Sequence, residues 1–306
     1  MRLGKLDFPV PVFLAPMAGV TDTAYRVIAH GMGCPLAFAE MVSSQGIHYR
    51  NEHTMNMLRT EPEERPIAMQ IFAKSATMAA EAAAYIEALG TADILDFNMG
   101  CPAPKVVKNG EGSALMRDPK RAEEILTAIR RATRLPFTVK MRLGWDDASR
   151  NAVEIARMAE AVGVDAVTVH GRTREQFYSG EADWAIIRAV KERVAIPVIA
   201  NGDVRSVVDL VRIFEVTDAD GKGLGRYEMA WMNGYSGEMG EADWNDGGRR
   251  LLGKYVSNAT DEAFLIWFYS GDQPVEVTTP PVPWGTSYRI VASTADEGEL
   301  PTEALG

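Results

Sequence analysis

Between residues 10 and 215 the chain alternates short apolar runs with longer stretches in which apolar residues recur every three or four positions. The short runs, bounded by Gly, Pro and polar residues, predict strands at Val12 to Ala15, Ala37 to Glu40, Ile67 to Phe72, Ile94 to Phe97, Phe137 to Met141, Ala166 to His170 and Pro197 to Ala200. The periodic stretches between them predict helices with well-marked ends. Asp118 stands as an N-cap with Pro119 in the first turn, Ser149 precedes a segment that stops at Gly163, and Thr21 or Asp22 precedes one that stops at Gly31. Strands alternating with helices are the pattern of a parallel sheet with crossover helices. Seven such units permit a doubly wound sheet, but they suit an α/β fold of the (β/α)8 TIM barrel type better.

Polar residues sharpen that choice because they collect at one end of the strands. Pro16, Met17, Ala18 and Gly19 follow the first strand, Glu40 ends the second, Gln70 sits late in the third, and Asn98 and Cys101 follow the fourth. Lys140 and Arg142 end the fifth, His170 and Arg172 the sixth, and Asn201, Gly202 and Asp203 the seventh. In a barrel these positions converge on the carboxyl-terminal mouth, where active sites of this fold lie.

Cys101 is the candidate for reactivity. It sits in a Gly100-Cys101-Pro102 turn directly after an apolar strand, with minimal backbone bulk on one side and a fixed φ on the other. Cys34, between a helix and a buried strand, reads as structural. Two cysteines give no disulfide framework and no Cys-rich metal spacing, so no metal is expected. No apolar run approaches the roughly 18 residues of a membrane span, and Met1 to Val10 carries Arg2, Lys5 and Asp7 where a signal peptide would be apolar. A cytoplasmic monomer without membrane attachment is the expectation.

The net charge of −10 is unevenly placed. Residues 211–306 hold 7 Lys and Arg against 16 Asp and Glu, leaving residues 1–210 nearly neutral at 25 against 26. Nucleic acid would therefore have to meet a local basic patch outside the last third. Lys105, Lys108, Arg142, Arg172 and Arg174 all follow strand ends, and a barrel would gather them into one basic rim.

Six segments together resemble the flavin-dependent tRNA-dihydrouridine synthases, most closely their bacterial B-type branch. They are Ala15 to Asp22 (APMAGVTD), Asn98 to Pro102 (NMGCP), Gly112 to Leu115 (GSAL), Lys140 to Trp145 (KMRLGW), His170 to Arg174 (HGRTR) and Ile196 to Asp203 (IPVIANGD), in family order and spacing. The resemblance holds over residues 1 to about 210 and is lost beyond. It implies an enzyme that reduces the 5,6 double bond of uridine in tRNA, with FMN giving a hydride, NADPH as reductant and Cys101 giving the proton. A thiol with an ordinary pKa of about 8.5 suits that acid role near neutral pH.

Under that reading the flavin site falls to Pro16, Met17, Ala18, Gln70, Lys140 and His170, and the uridine and tRNA contacts to Asn98 and to the strand-end cations Arg142, Arg172, Lys105 and Lys108. FMN phosphate would lie between Asn201, Gly202 and Asp203 and a second loop ending in Gly225 and Arg226. An eighth strand is expected near Asp220 to Arg226, although Lys222 and Gly223 weaken it as a buried strand.

The boundaries that follow are a flavin-binding barrel over residues 1–226 and a segment over 227–306 that replaces the family's helical tRNA-binding domain. Met229 to Gly248 is rich in Gly, Trp, Asn and Asp, Leu251 to Tyr269 could form a small second domain, and residues 273–306 read as loop or disordered tail. Two other functions stay open on the sequence. One is a flavin barrel that reduces a free pyrimidine or another conjugated alkene. The other is a flavin- or RNA-binding barrel without turnover.

Overall fold

A computed structural model of the chain describes residues 1–205, Asp209 and Ile213, together with the backbone of four strands between Met229 and Tyr269. The chain divides into two units, Met1–Ala219 and Asp220–Gly306.

The first unit opens with a hairpin of β1 (Arg2–Leu3) and β2 (Leu6–Asp7), followed by α1 (Thr23–Gly31), β3 (Ala37–Phe38), β4 (Val42–Ser43), α2 (Ser44–His48) and α3 (Glu52–Met57). Then come β5 (Ile67–Phe72), α4 (Ala76–Leu89), β6 (Ile94–Met99), α5 (Pro104–Lys108), α6 (Pro119–Ala132), β7 (Phe137–Arg142), α7 (Ala152–Val162), β8 (Ala166–His170), α8 (Trp184–Lys191) and β9 (Val198–Asn201). The sheet order is β3-β5-β6-β7-β8-β9, with β4 also on β5, and every pairing is parallel. That order follows the chain and never reverses. A doubly wound sheet has a switch point where the order turns back, so the sequential order is that of a singly wound (β/α) barrel.

The first strand is the shortest departure from expectation. Only Leu14 pairs, bridging to Ala37, with Leu14 N–H on Leu36 O at 3.1 Å and Phe38 N–H on Leu14 O at 3.0 Å. Pro9, Pro11 and Pro16 remove three donors from this stretch, so a longer ladder cannot form. The second strand is also interrupted. Phe38 pairs with Ala68 and Val42 with Ile71, so three residues, Ala39 to Met41, face two on β5. This bulge carries Glu40, which accepts a hydrogen bond from Gly19 N–H across the mouth.

Strand alternation sorts the core. Met69, Ile71, Leu95, Phe97, Phe137, Val139, Met141, Val167 and Val169 point outward into one buried cluster with the helices. On α4 the spacing of Ala79, Ala82, Ala83 and Ile86, and on α6 that of Ala122, Ile125, Leu126 and Ile129, supplies the matching stripe. The inward positions are apolar only at the amino-terminal end, where Ala68, Ile94 and Ala166 meet Leu3, Phe8, Leu36 and Phe38. The β1–β2 hairpin thus plugs the barrel floor, and burying Leu3 and Phe8 contributes about 1.5–3 kcal/mol each. Gly4, at φ +58°, is needed there because a Cβ would come within 2.6 Å of Pro136 Cγ.

Asp22 caps α1, accepting from Tyr25 N–H at 2.9 Å, and Asp118 caps α6, accepting from Arg121 N–H at 3.1 Å. Ser149 does not cap α7. It closes a box with Asp146 around the short turn Asp147–Ser149, and α7 begins two residues after Arg150, at Ala152. Gly163 ends α7 in the left-handed conformation as expected. Among the described residues no helix is long and apolar enough to cross a membrane.

The second unit contains an antiparallel sheet of β10 (Met229–Asn233), β11 (Gly237–Glu238), β12 (Leu251–Ser257) and β13 (Ala263–Tyr269), in the order β11-β10-β12-β13. The β12–β13 ladder pairs Leu251 with Tyr269 through Ser257 with Ala263, within the segment expected to form a small domain. Met229–Asn233 and Gly237–Glu238 place two strands in the stretch rich in Gly, Trp, Asn and Asp, for which no element was expected. The eighth strand near Asp220 to Arg226 and the tail over 273–306 lie outside the described residues.

Candidate active site

Above the apolar floor, the inward side chains of β5, β6 and β7 are polar and bonded to one another. Gln70 pairs in register with Asp96, and Asp96 with Thr138. Thr138 Oγ1 donates to Asp96 Oδ1 at 2.6 Å and Gln70 Nε2 donates to Asp96 Oδ2, also at 2.6 Å. Asn98 Nδ2 then donates to Gln70 Oε1 at 2.8 Å. All four are buried. Burial pushes the Asp96 carboxyl up to about 6, against the Thr138 and Gln70 hydrogen bonds and the Lys140 charge, which hold it down.

The network ends on the cysteine turn. Asn98 Oδ1 accepts from Gly100 N–H at 3.1 Å and Cys101 N–H at 2.9 Å, which fixes the backbone that presents the thiol. From the other side Ser113 binds Cys101 O through both its N–H, at 3.1 Å, and its hydroxyl, at 2.9 Å. Gly112, at φ +58°, allows that approach, since a Cβ there would lie 2.8 Å from Cys101 O. Cys101 is half-buried, and burial raises its thiol pKa. A backbone hydrogen bond at Ala103 and the Arg142 and Lys140 charges counter that rise. The group therefore stays a protonated thiol at neutral pH.

Lys140 stands opposite Asn98 in the β6–β7 pairing and donates from Nζ to Asn201 Oδ1 at 2.9 Å. Burial, followed by the Arg142 charge, pushes its ammonium down to about 8, while Asp96 and Cys101 act in the opposite sense. Its neighbour on β8, Thr168, keeps Oγ1 buried with no hydrogen-bond partner among the described residues. His170 pairs with Arg142 on one side and Asn201 on the other. Burial and the Lys140, Arg142 and Arg172 charges push its pKa down to about 3, so the imidazole is neutral, and Nε2 accepts from Arg172 Nη1 at 3.4 Å.

Arg142 and Arg172 do not stand on an exposed rim, which corrects that part of the expectation. Arg142 donates to Gly100 O at 2.9 Å, Thr173 O at 2.8 Å and Phe177 O at 2.7 Å, and its side chain is buried. Burial lowers its pKa to about 10; Tyr178 acts against this and Arg172 adds to it. Arg172 donates to Ser179 O, Gly180 O and both Asp203 oxygens, the latter at 3.0 and 2.8 Å. Both guanidiniums brace loops because carbonyls and a carboxylate already surround them. Lys105 and Lys108 are exposed, in the last turn of α5.

The first-strand turn presents backbone instead of side chains. Thr21, fully buried, accepts Met17 N–H at 3.0 Å and returns a bond to Met17 O, leaving Met17, Ala18 and Gly19 exposed and Pro16 half-buried. Gly202, at φ +109°, packs where a Cβ would meet His170 Cδ2 at 2.8 Å, and its carbonyl accepts from Trp184 Nε1 at 3.0 Å. Desolvation pushes the Asp203 carboxyl up, but Ala182 N–H and Arg172 outweigh it and leave the group below the usual range. Gly225 and Arg226 lie outside the described residues.

Asp96, Thr138 and Thr168 were not singled out in the sequence, and Ser113 entered only as part of the Gly112 to Leu115 segment, without a role. Their signal was there in part: Asp96 and Thr138 interrupt otherwise apolar strands at inward positions of the pleat.

A protonated thiol at Cys101 thus lies beside the buried Arg142 and half-buried Lys140 cations at the carboxyl-terminal mouth of an α/β barrel. The family model for dihydrouridine synthase (Dus) matches residues 13–230, and the chain belongs to that family of oxidoreductases acting on a CH–CH bond. A probable tRNA-dihydrouridine synthase of Rhizobium leguminosarum bv. phaseoli is 47% identical over 215 residues, covering 70% of this chain and 67% of that one. A probable tRNA-dihydrouridine synthase of Rickettsia conorii is 42% identical over 235 residues, covering 76% and 71%. The tRNA-dihydrouridine synthase B of Pseudomonas aeruginosa is 42% identical over 226 residues, covering 74% and 68%.

Proposed function

We propose that the chain is a tRNA-dihydrouridine synthase of the B type, using FMN reduced by NADPH to saturate the 5,6 double bond of a tRNA uridine. The observation that carries this reading is the Asn98 carboxamide holding the Cys101 turn directly across from the half-buried Lys140 ammonium.

The donor set at the mouth suits a flavin. Gln70 gives Asp96 only one of its two amide N–H groups, Lys140 has two N–H groups beyond the one on Asn201, and Thr168 Oγ1 is unpartnered among the described residues. Those donors match the carbonyl and imino edge of an isoalloxazine. The exposed backbone of Met17 and Ala18 permits close approach of a flat ring, and Asn201 and Gly202 begin the loop that would meet its phosphate. FMN bound there supplies the hydride for the uridine ring.

The protein's own part is orientation and the proton. Cys101 Sγ holds a proton at neutral pH and delivers it to the ring carbon on the other end of the double bond, leaving a thiolate that Arg142 and Lys140 stabilise. His170, kept neutral, adds no competing acid. Purified protein incubated with NADPH and tRNA should carry a flavin spectrum and form dihydrouridine. Cys101→Ala should lower product formation by about 10²-fold, the usual worth of general acid catalysis. A colourless preparation that takes up no FMN, or full product formation by Cys101→Ala, overturns the reading.

A further inference from the structure

A cavity adjoins the turn that supports Cys101. The short turn Gly112–Arg117 that supports Cys101 through Ser113 continues directly into the wall of that cavity, of about 280 Å³. Val107, Ala114 and Leu115 line its apolar part, and Arg117, Arg121 and Trp145 its polar part. Two guanidiniums are stacked on the Trp145 ring, Arg117 at 4.6 Å and Arg174 at 4.7 Å from its centroid. The loop that carries Arg174 is pinned to the Trp145 loop by Arg174 N–H on Gly144 O and Glu175 N–H on Trp145 O, both at 3.0 Å.

Two cations on one indole repel each other unless an anion joins them. Among the described residues no carboxylate forms an ion pair with both guanidiniums. Asp118, in the cavity wall, accepts Arg121 N–H as the cap of α6, and the exposed Asp146, hydrogen-bonded by Ser149, feels the Arg117 charge without closing an ion pair on it. No salt bridge between Arg117, Arg121 or Arg174 and a carboxylate occurs among the described residues. Arg174 Nε is buried and has no hydrogen-bond partner among them.

We propose that the Arg117–Trp145–Arg174 stack binds a backbone phosphate of the RNA next to the uridine being reduced. This rests on the tRNA reading above. The indole holds both guanidiniums at fixed positions on its surface, so little side-chain freedom is lost when the phosphate arrives. The turn Gly112–Arg117 carries both this contact and Ser113, which holds Cys101 O, so a phosphate bound there orients the strand that carries the uridine. A phosphate of the dinucleotide reductant has the same chemistry, and the experiment separates the two.

The test is the salt dependence of tRNA binding to the full-length holoprotein. Arg117→Gln and Arg174→Gln should each reduce the slope of log K against log salt, and the double variant by roughly 0.7–0.9, the worth of one phosphate contact. Arg131→Gln, exposed in the last turn of α6 at the opposite end of the barrel, should leave the slope at the wild-type value. An unchanged slope in both stack variants overturns the site, as does an equal loss in Arg131→Gln, which would mark a bulk charge effect. A raised KM for NADPH with an unchanged tRNA slope assigns the stack to the reductant and also overturns it. Wild-type protein that does not bind tRNA overturns the proposed function, and this site with it.

Discussion

Lys140 on β7 reaches past β8 to donate to Asn201 on β9, two strands away, at 2.9 Å. The contact places an ammonium inside the barrel mouth, under the thiol turn and beside a neutral His170. With burial holding its pKa near 8, the group is a cation below about pH 8 and loses its charge above. An anionic reduced flavin is stabilised by that charge. Lys140→Met should therefore lower the flavin reduction potential and weaken cofactor retention at pH 7. The gap between variant and wild type should narrow as pH rises through about 8. Potentiometric titration at pH 7 and pH 9 checks both, and an identical potential at pH 7 places Lys140 outside the flavin site.

Asp96 anchors Gln70 and Thr138 without touching solvent. Asp96→Ala leaves two buried donors without their acceptor, at a cost of about 1–3 kcal/mol each in unfolding free energy. The pH dependence has a definite sign. Its folded pKa lies above the unfolded value, so its contribution is fully present below about pH 4 and is lost as pH rises through about 6. Denaturant titrations of wild type and Asp96→Asn should show the wild type losing stability relative to the variant between about pH 4 and 6. Parallel curves across that window would show that Asp96 titrates normally.

The strands and most of the site were legible because they depend on local pattern. Apolar runs ending in Gln70, Asn98, Lys140, His170 and Asn201 place those residues at one mouth once a parallel order is assumed. What the sequence hid was how they bond. Arg142 and Arg172 look like solvated cations in a motif, and only the folded loops bring Thr173, Phe177, Ser179 and Gly180 carbonyls around them. The bulge at Ala39 to Met41 and the single-residue pairing of Leu14 were hidden for a related reason. Both depend on the partner strand and on prolines whose missing N–H matters only once a neighbour is present to bond. The Met229–Asn233 strand has no clear alternation, and its β12 partner lies some twenty residues downstream.

Arg172 and Asp203 form a pair in which the guanidinium is nearly inaccessible, at 3% exposure, and the carboxylate is 20% exposed. Removing Arg172 leaves Asp203 to Arg205, at 2.9 Å, and to Ala182 N–H, so the loss falls below the roughly 3–5 kcal/mol of a fully buried pair and comes chiefly from the unsupported Ser179 and Gly180 carbonyls. Arg172→Ala should unfold at a distinctly lower denaturant concentration. Arg172→Lys should recover only part of the loss, since a single ammonium cannot bridge Ser179 O, Gly180 O and Asp203 as the planar fork does. Full recovery by lysine would show that charge alone, and not the fork, holds the loop.

Lys105 and Lys108 have two possible roles that a single pair of measurements separates. They are exposed in the last turn of α5, just beyond the Cys101 turn, where cations complement the unpaired carbonyls of a helix end. In that role alone, replacing both with Gln would cost a few tenths of a kcal/mol in stability and leave tRNA binding unchanged. As contacts to tRNA phosphates, they would instead account for roughly 1.4–1.8 units of the salt slope, at 0.7–0.9 per phosphate. The expected outcome for Lys105→Gln/Lys108→Gln is the second: weaker tRNA binding at low salt, a flatter slope, and affinities that converge with the wild type as salt rises. Binding isotherms at three or more salt concentrations decide it, and a slope equal to that of the wild type returns both lysines to the helix end.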